Sequence, residues 1–264
     1  MTTSARLQIT ILSTFVVLLT TEGTASAQWL KSKAAAPIPR AADGKPDLNA
    51  PAPKNSDGKP DIAGVWQLPL PPLYLANIAK DLKPGELSMQ PWAEALYKHR
   101  RETESKEDPH GFCIPGGVPR SYLPPYPFRI LNSAGQVVIL FEAVQSYRQI
   151  FTDGRTLMKD LNPTWMGYSV GRWEGDTFVI ESTGFKDESW IDSDGHPGSE
   201  ELRVSERLHR RDFGHLDAQI TIDDPKAYKK PWTVTLPFVL QPETELLEFI
   251  CNENNRDVPH LVGK

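Results

Sequence analysis

No dense block of lysine and arginine occurs in these 264 residues beyond short pieces such as His209-Arg210-Arg211, and 29 basic against 34 acidic side chains leave a net charge of −5. Nucleic-acid binding draws on clustered cations, so that function is excluded. Long apolar runs are also scarce. The one from Leu7 to Leu19 falls short of the roughly 20 residues that a membrane-spanning helix needs, and no later segment is apolar enough to span. Preceded by Arg6 and followed by Ala25-Ser26-Ala27, that run has the pattern of an export signal cleaved after Ala27. Position 28 is glutamine, so no lipid anchor is expected at the cleavage site, and the mature protein is expected in the periplasm or secreted.

Cysteine is limited to Cys113 and Cys251. No local Cys/His signature supports a catalytic thiol, and in an oxidising compartment the two are expected to pair. Proline is uneven, with 17 of the 24 lying between residues 28 and 127. Residues 31–56 lack an apolar period and read as part of a flexible Pro/Ala-rich arm over 28–60. Within this stretch Asp43-Gly44-Lys45-Pro46-Asp47 recurs as Asp57-Gly58-Lys59-Pro60-Asp61. Two copies are too few for a solenoid, which leaves turn chemistry or slippage of the tail.

A helix is expected over about 90–103, with Pro91 in its first turn, Trp92 and Leu96 on one face, and Asp108-Pro109 beyond its end. From Gln136 onward the period changes to two. Residues 137–144, 177–183, 202–208, 216–222, 232–240 and 246–251 alternate, with turn signals at Asp153-Gly154, Glu174-Gly175-Asp176 and Asp212-Phe213-Gly214. Eight or nine strands without helices long enough for parallel crossovers predict a mainly β fold. Its form is an antiparallel lipocalin-like barrel or curved sandwich, spanning 61–264 as a single domain, with one N-terminal helix and an extended arm.

Gly64-Val65-Trp66 resembles the Gly-x-Trp start of lipocalin-type (calycin) barrels, which implies that Trp66 plugs a closed end. A broader resemblance runs through Asp108–Cys113, Pro119-Arg120, residues 162–177, 221–234 and 251–254. These segments are similar to a family of exported bacterial proteins to which no activity attaches. That resemblance implies export and one continuous domain, and no functional residue is transferred from it.

Several polar residues stand where chemistry could occur. Gly167-Tyr168-Ser169-Val170-Gly171 matches G-x-S-x-G, but the hydrolase motif needs a strand turning into a helix, and here the chain runs on into a hairpin. Asp192-Ser193-Asp194-Gly195 resembles half of a calcium loop, with Trp190 at the first ligand position and unable to coordinate. Asp192, Asp194 and His196 remain weak candidates for a transition-metal site. Glu206 shares a face with Leu202, Val204 and Leu208, and Glu142 shares one with Leu140 and Val144, so both are candidate inward carboxylates. The alternatives are an acid/base group or a salt bridge to Arg148, Arg172 or Arg207. His196, framed by Asp192 and Asp194, is the better candidate base of the two loop histidines; His215 is the other.

Three functional readings follow. The first is a barrel that binds a small, mainly apolar or aromatic molecule through Glu142, Tyr147, Arg148, Trp165, Tyr168 and Trp190. The second is an acid/base isomerase, lyase or hydratase in the same barrel, with Glu206 and His196 as proton carriers, Asp192 orienting the histidine, and no cofactor. The third is a cell-envelope interaction module tethered by its proline-rich segment.

Overall fold

In the computed structural model, which describes residues 37–69, 77–158 and 160–253, the period-two segments become strands that close into a nine-stranded barrel in sequence order. The strands are β1 (Gly64–Gln67), β2 (Phe128–Ser133), β3 (Gln136–Phe141), β4 (Ser146–Phe151), β5 (Tyr168–Glu174), β6 (Thr177–Thr183), β7 (Arg203–Arg210), β8 (His215–Asp223) and β9 (Trp232–Leu240). Helix α1 (Pro91–Glu102) lies between β1 and β2. The expected export signal, residues 1–27, lies outside the described residues.

A closed ring of strands must return to its own direction, so it contains an even number of antiparallel junctions. Nine junctions therefore force at least one parallel pair. It falls at β4–β5, where only Ile150↔Ser169 and Phe151↔Val170 are in register; every other neighbouring pair is antiparallel, including the closing pair β1–β9. The barrel is thus mostly antiparallel, as expected, with one parallel seam. A parallel pair needs a long connection, and residues 152–167 supply it, with no helix among the residues described there.

Alternation then fills the interior. Ile139 and Phe141 of β3, Arg148 and Ile150 of β4, Val204, Glu206 and Leu208 of β7, and Trp232 through Leu240 at every second position of β9 are all buried. Tyr122, from the loop before β2, joins Phe128, Phe141 and Phe238 with ring centres 4.8 to 5.9 Å apart. This buried aromatic cluster belongs to the core of the barrel. Trp66 is fully buried, donates from Nε1 to the Ile62 carbonyl at 3.0 Å, and has the Arg210 guanidinium 5.0 Å from its ring centre. Gly64 has a positive φ of +148°, which side-chain-bearing residues rarely adopt, and a Cβ there would lie 2.6 Å from Leu240 Cδ1, so the position favours glycine.

Two strand readings are corrected. Strand β3 ends at Phe141 and not at Val144, because Val144 (φ 59°) and Gln145 (φ 44°) adopt left-handed backbone and turn the chain into β4. Residues 246–251 form no strand. The ring is already closed by β9 on β1. They cross the outside instead, held by Arg129–Glu245, a Tyr126–Phe249 ring contact at 4.9 Å and the Cys113–Cys251 disulfide.

Helix α1 matches its expected range within a residue, but its inward stripe differs. Ala93 and Arg100 are buried, whereas Trp92 is 43% exposed and donates to the Lys226 carbonyl at 2.7 Å. The duplicated motif makes the same turn twice: Asp47 N–H reaches the Pro39 carbonyl and Asp61 N–H the Pro53 carbonyl, both at 2.8 Å. Between the turns, the Leu48 and Ala50 carbonyls accept from Gly214 and Phe213 at 2.7 Å, joining this stretch to the β7–β8 turn.

Gly171 shows how tightly the seam is packed. A Cβ there would stand 2.6 Å from Phe178 Cζ and 2.8 Å from Ile150 Cγ2. Gly171→Ala is expected to cost about 1–3 kcal/mol through overpacking, read as a lower urea midpoint; an unchanged midpoint would show that β5 can move away from β4.

Candidate functional site

Period two turns Glu206 inward from the middle of β7, as the sequence predicts, and Arg148 comes to meet it from β4. The Arg148 Nη2–Glu206 Oε2 ion pair is completely enclosed, with side-chain exposures of 1% and 0%. Tyr122 donates to Glu206 Oε1 at 2.9 Å and accepts from Arg148 Nη1 at 3.0 Å. Ser169 and Ser182, on β5 and β6, accept from Arg148 Nε at 3.0 Å and Nη2 at 2.7 Å. Burial works against the arginine charge, but the Glu206 carboxylate outweighs it and the guanidinium ends above its ordinary value. Burial, and then Glu206, push the Tyr122 phenol well above its usual range. Ser169, the serine of G-x-S-x-G, is thus a buried strand residue with its hydroxyl already engaged. Arg172 and Arg207, the other partners considered for Glu206, pair outside with Glu174.

The second candidate group lies on the loop before β7. Asp192 Oδ1 accepts the N–H groups of Asp194, Gly195 and His196 at 3.1 to 3.2 Å, and Oδ2 accepts Ile78 N–H at 3.0 Å and faces His196 Nδ1 at 2.7 Å. The His196 ring stacks on Tyr97 of α1 with centres 4.5 Å apart. Asp194 points elsewhere, accepting from Asn77 at 2.8 Å, Arg101 at 3.0 Å and the Tyr97 hydroxyl. The Tyr97 phenol is raised by burial and then by Asp194. Among the described residues no group of three or more His, Cys, Asp or Glu side chains is placed to hold a metal ion. Trp190 lies against Arg100, 4.2 Å from its ring centre, with Arg120 at 5.7 Å; burial lowers Arg100 to about 10. His196 and Asp192 are 1% and 0% exposed, so this dyad clamps the loop to α1. His215 meets Asp212 at 2.7 Å in the β7–β8 turn.

The third group is a cleft. Beyond the two register pairs of the seam the β4 and β5 sides part, and a cavity of about 560 Å³ opens between Ser146–Gln149 on one side and Thr164–Tyr168 on the other. Tyr147, Arg148, Trp165 and Tyr168, four of the six residues expected to contact ligand, all line it, together with Phe151 and Met166. Tyr147 is 63% exposed. Arg155 stacks on Phe151 at 3.9 Å and Lys186 on Trp165 at 5.2 Å.

Protein-family models, curated proteins and solved structures yield no match to this chain. The closed barrel is compatible with the lipocalin-like form that Gly64-Val65-Trp66 suggests.

Two of the expected ligand residues do not join the cleft. Trp190 belongs to the loop cluster. Glu142 does not face the barrel interior as its assumed strand parity implied, because β3 has already ended; its Oε2 accepts Leu247 N–H at 2.7 Å and fastens the C-terminal segment. Glu206 and His196 share no hydrogen-bond partner. The sequence reading missed Tyr122 as the third member of the buried ion cluster, and Tyr97 as the residue covering His196. Both come from segments before the strand region, and no periodic signal ties them to their partners. Phe151 and Met166 were legible only as apolar residues flanking a long connection.

Proposed function

We propose that the protein binds a small, mainly apolar or aromatic molecule in the seam cleft between β4 and β5. The observation that carries this reading is the convergence of Tyr147, Trp165 and Tyr168 with Phe151 and Met166 on one cavity. Its volume falls within the range common for small-molecule sites. Aromatic walls with polar groups at their ends give a flat ligand both contact area and orientation. The disulfide, which forms in oxidising compartments, supports an exported protein, as the N-terminal sequence pattern does. The acid/base alternative draws less support, since Glu206 is enclosed with Arg148 and His196 belongs to a different network.

Titration of the intact protein with a panel of planar aromatic compounds, followed by tryptophan fluorescence, tests the reading. At least one compound is expected to shift the emission saturably. Tyr147→Ala and Trp165→Ala should each weaken that binding about tenfold, from loss of an aromatic contact worth roughly 1–1.5 kcal/mol, while Trp92→Ala on α1 leaves it unchanged. Binding that all three variants retain would place the ligand elsewhere; a panel without a single binder would remove the reading.

A further inference from the structure

The cleft presents backbone as well as rings. Along β4 the side chains alternate, with Ser146 and Arg148 buried and Tyr147 and Gln149 turned outward, yet all four consecutive residues line the one cavity. Inward and outward positions can share a cavity only where the edge of the strand faces it. On its other side β4 is fully paired with β3, from Phe141↔Ser146 to Gln136↔Phe151. In an antiparallel pair alternate residues exchange both N–H and C=O with the partner strand, and the residues between them turn those groups away. The Thr152 N–H to Gly135 C=O bond continues this ladder and fixes its phase, so Ser146 and Arg148 bond to β3 and it is Tyr147 and Gln149 whose backbone groups turn to the other side. Pairing with β5 begins at the Ile150↔Ser169 bridge, which in this phase takes the Gln149 C=O, so the groups left facing the cleft are the N–H and C=O of Tyr147 and the N–H of Gln149.

An open sheet edge is a template for a further row of donors and acceptors. Here it is four residues long and flanked by rings, so it suits a compact flat molecule. We propose that the ligand is a planar ring carrying an amide-like edge, an N–H beside a C=O as in a lactam, which continues the β4 ladder where β5 departs. Tyr147, Trp165 and Tyr168 hold the ring, and the exposed edge of β4 selects for the paired donor and acceptor. This rests on the cleft being the binding site.

Carbostyril and coumarin form a matched pair for the test: the same bicyclic shape and carbonyl, with the ring N–H of the first replaced by oxygen in the second. Each is titrated into the full-length protein, with amide hydrogen exchange followed over residues 146–149. Carbostyril is expected to bind about tenfold more tightly, since coumarin leaves an edge acceptor unmatched. It should also slow exchange at the amides of Tyr147 and Gln149, leaving those of Ser146 and Arg148, which bond to β3, unchanged. Equal affinities, or protection that does not alternate, would overturn the lactam-edge proposal while leaving the cleft as a site for flat rings. Failure of both compounds to bind would count against the cleft itself.

Discussion

Replacing Glu206 with alanine is expected to destabilise the barrel by about 3–5 kcal/mol, because it strands the Arg148 charge inside a closed core. Arg148 has a side-chain exposure of only 1%, and its remaining partners, Tyr122, Ser169 and Ser182, are neutral. Hydrogen bonds from a guanidinium to hydroxyls do not offset the cost of taking the charge out of water. The double variant Arg148→Met/Glu206→Leu removes both charges and should lie much closer to the wild type, since apolar replacement of a buried pair is often neutral or better. Urea denaturation of the two variants separates a stranded charge from a lost contact. A single variant within about 1 kcal/mol of wild type would show that Arg148 escapes to solvent when unpaired.

The second large effect concerns the Cys113–Cys251 disulfide, which closes a sequence separation of 138 residues. Removing a native disulfide from a small exported domain costs about 2–5 kcal/mol. Cys113→Ser/Cys251→Ser is expected to fall in that range, as a lowered thermal midpoint. The bond also fixes the segment after β9, whose other ties include Glu142 on Leu247 N–H, the Tyr126–Phe249 ring contact and the exposed pair Arg129–Glu245. Faster amide exchange at Leu247 in the double variant, with the strands unaffected, would place the loss in that segment. Equal stability of the two proteins would mean that the side-chain contacts alone hold it.

The strands were legible because alternation is a local signal, and for the same reason Glu206 could be placed inside the barrel from Leu202, Val204 and Leu208 alone. Glu142 failed where that logic ran past the end of its strand. Nothing in Val144 or Gln145 marks the left-handed backbone that ends the alternation. The parallel seam was accessible in principle: nine strands cannot close without one, and 152–167 is the long connection able to supply it. The choice between eight strands and nine was the missing step. Counting 246–251 as a strand, and not separating Ser146–Phe151 from the strand before it, hid the topology. Tyr147, Trp165 and Tyr168 were expected as ligand contacts because they are aromatics near strand ends. Their meeting at one cleft follows from where the seam falls, which depends on pairing across the chain. Asp192, Asp194 and His196 were grouped by spacing, yet in the structure Asp192 orders the turn and Asp194 faces α1 through Tyr97 and Arg101. Proximity in sequence brought the residues together, and side-chain direction separated them.

The central claim is that the seam cleft is the binding site, and the most direct measurement is NMR shift mapping of the wild-type protein during titration with the tightest planar compound found by fluorescence. The account predicts perturbations concentrated at residues 146–149 and 164–168. Phe128, Phe141 and Phe238 in the buried aromatic cluster, and His196 in its closed loop, should stay unmoved. Shifts centred on the interior rings or on His196, with 146–149 silent, would contradict it.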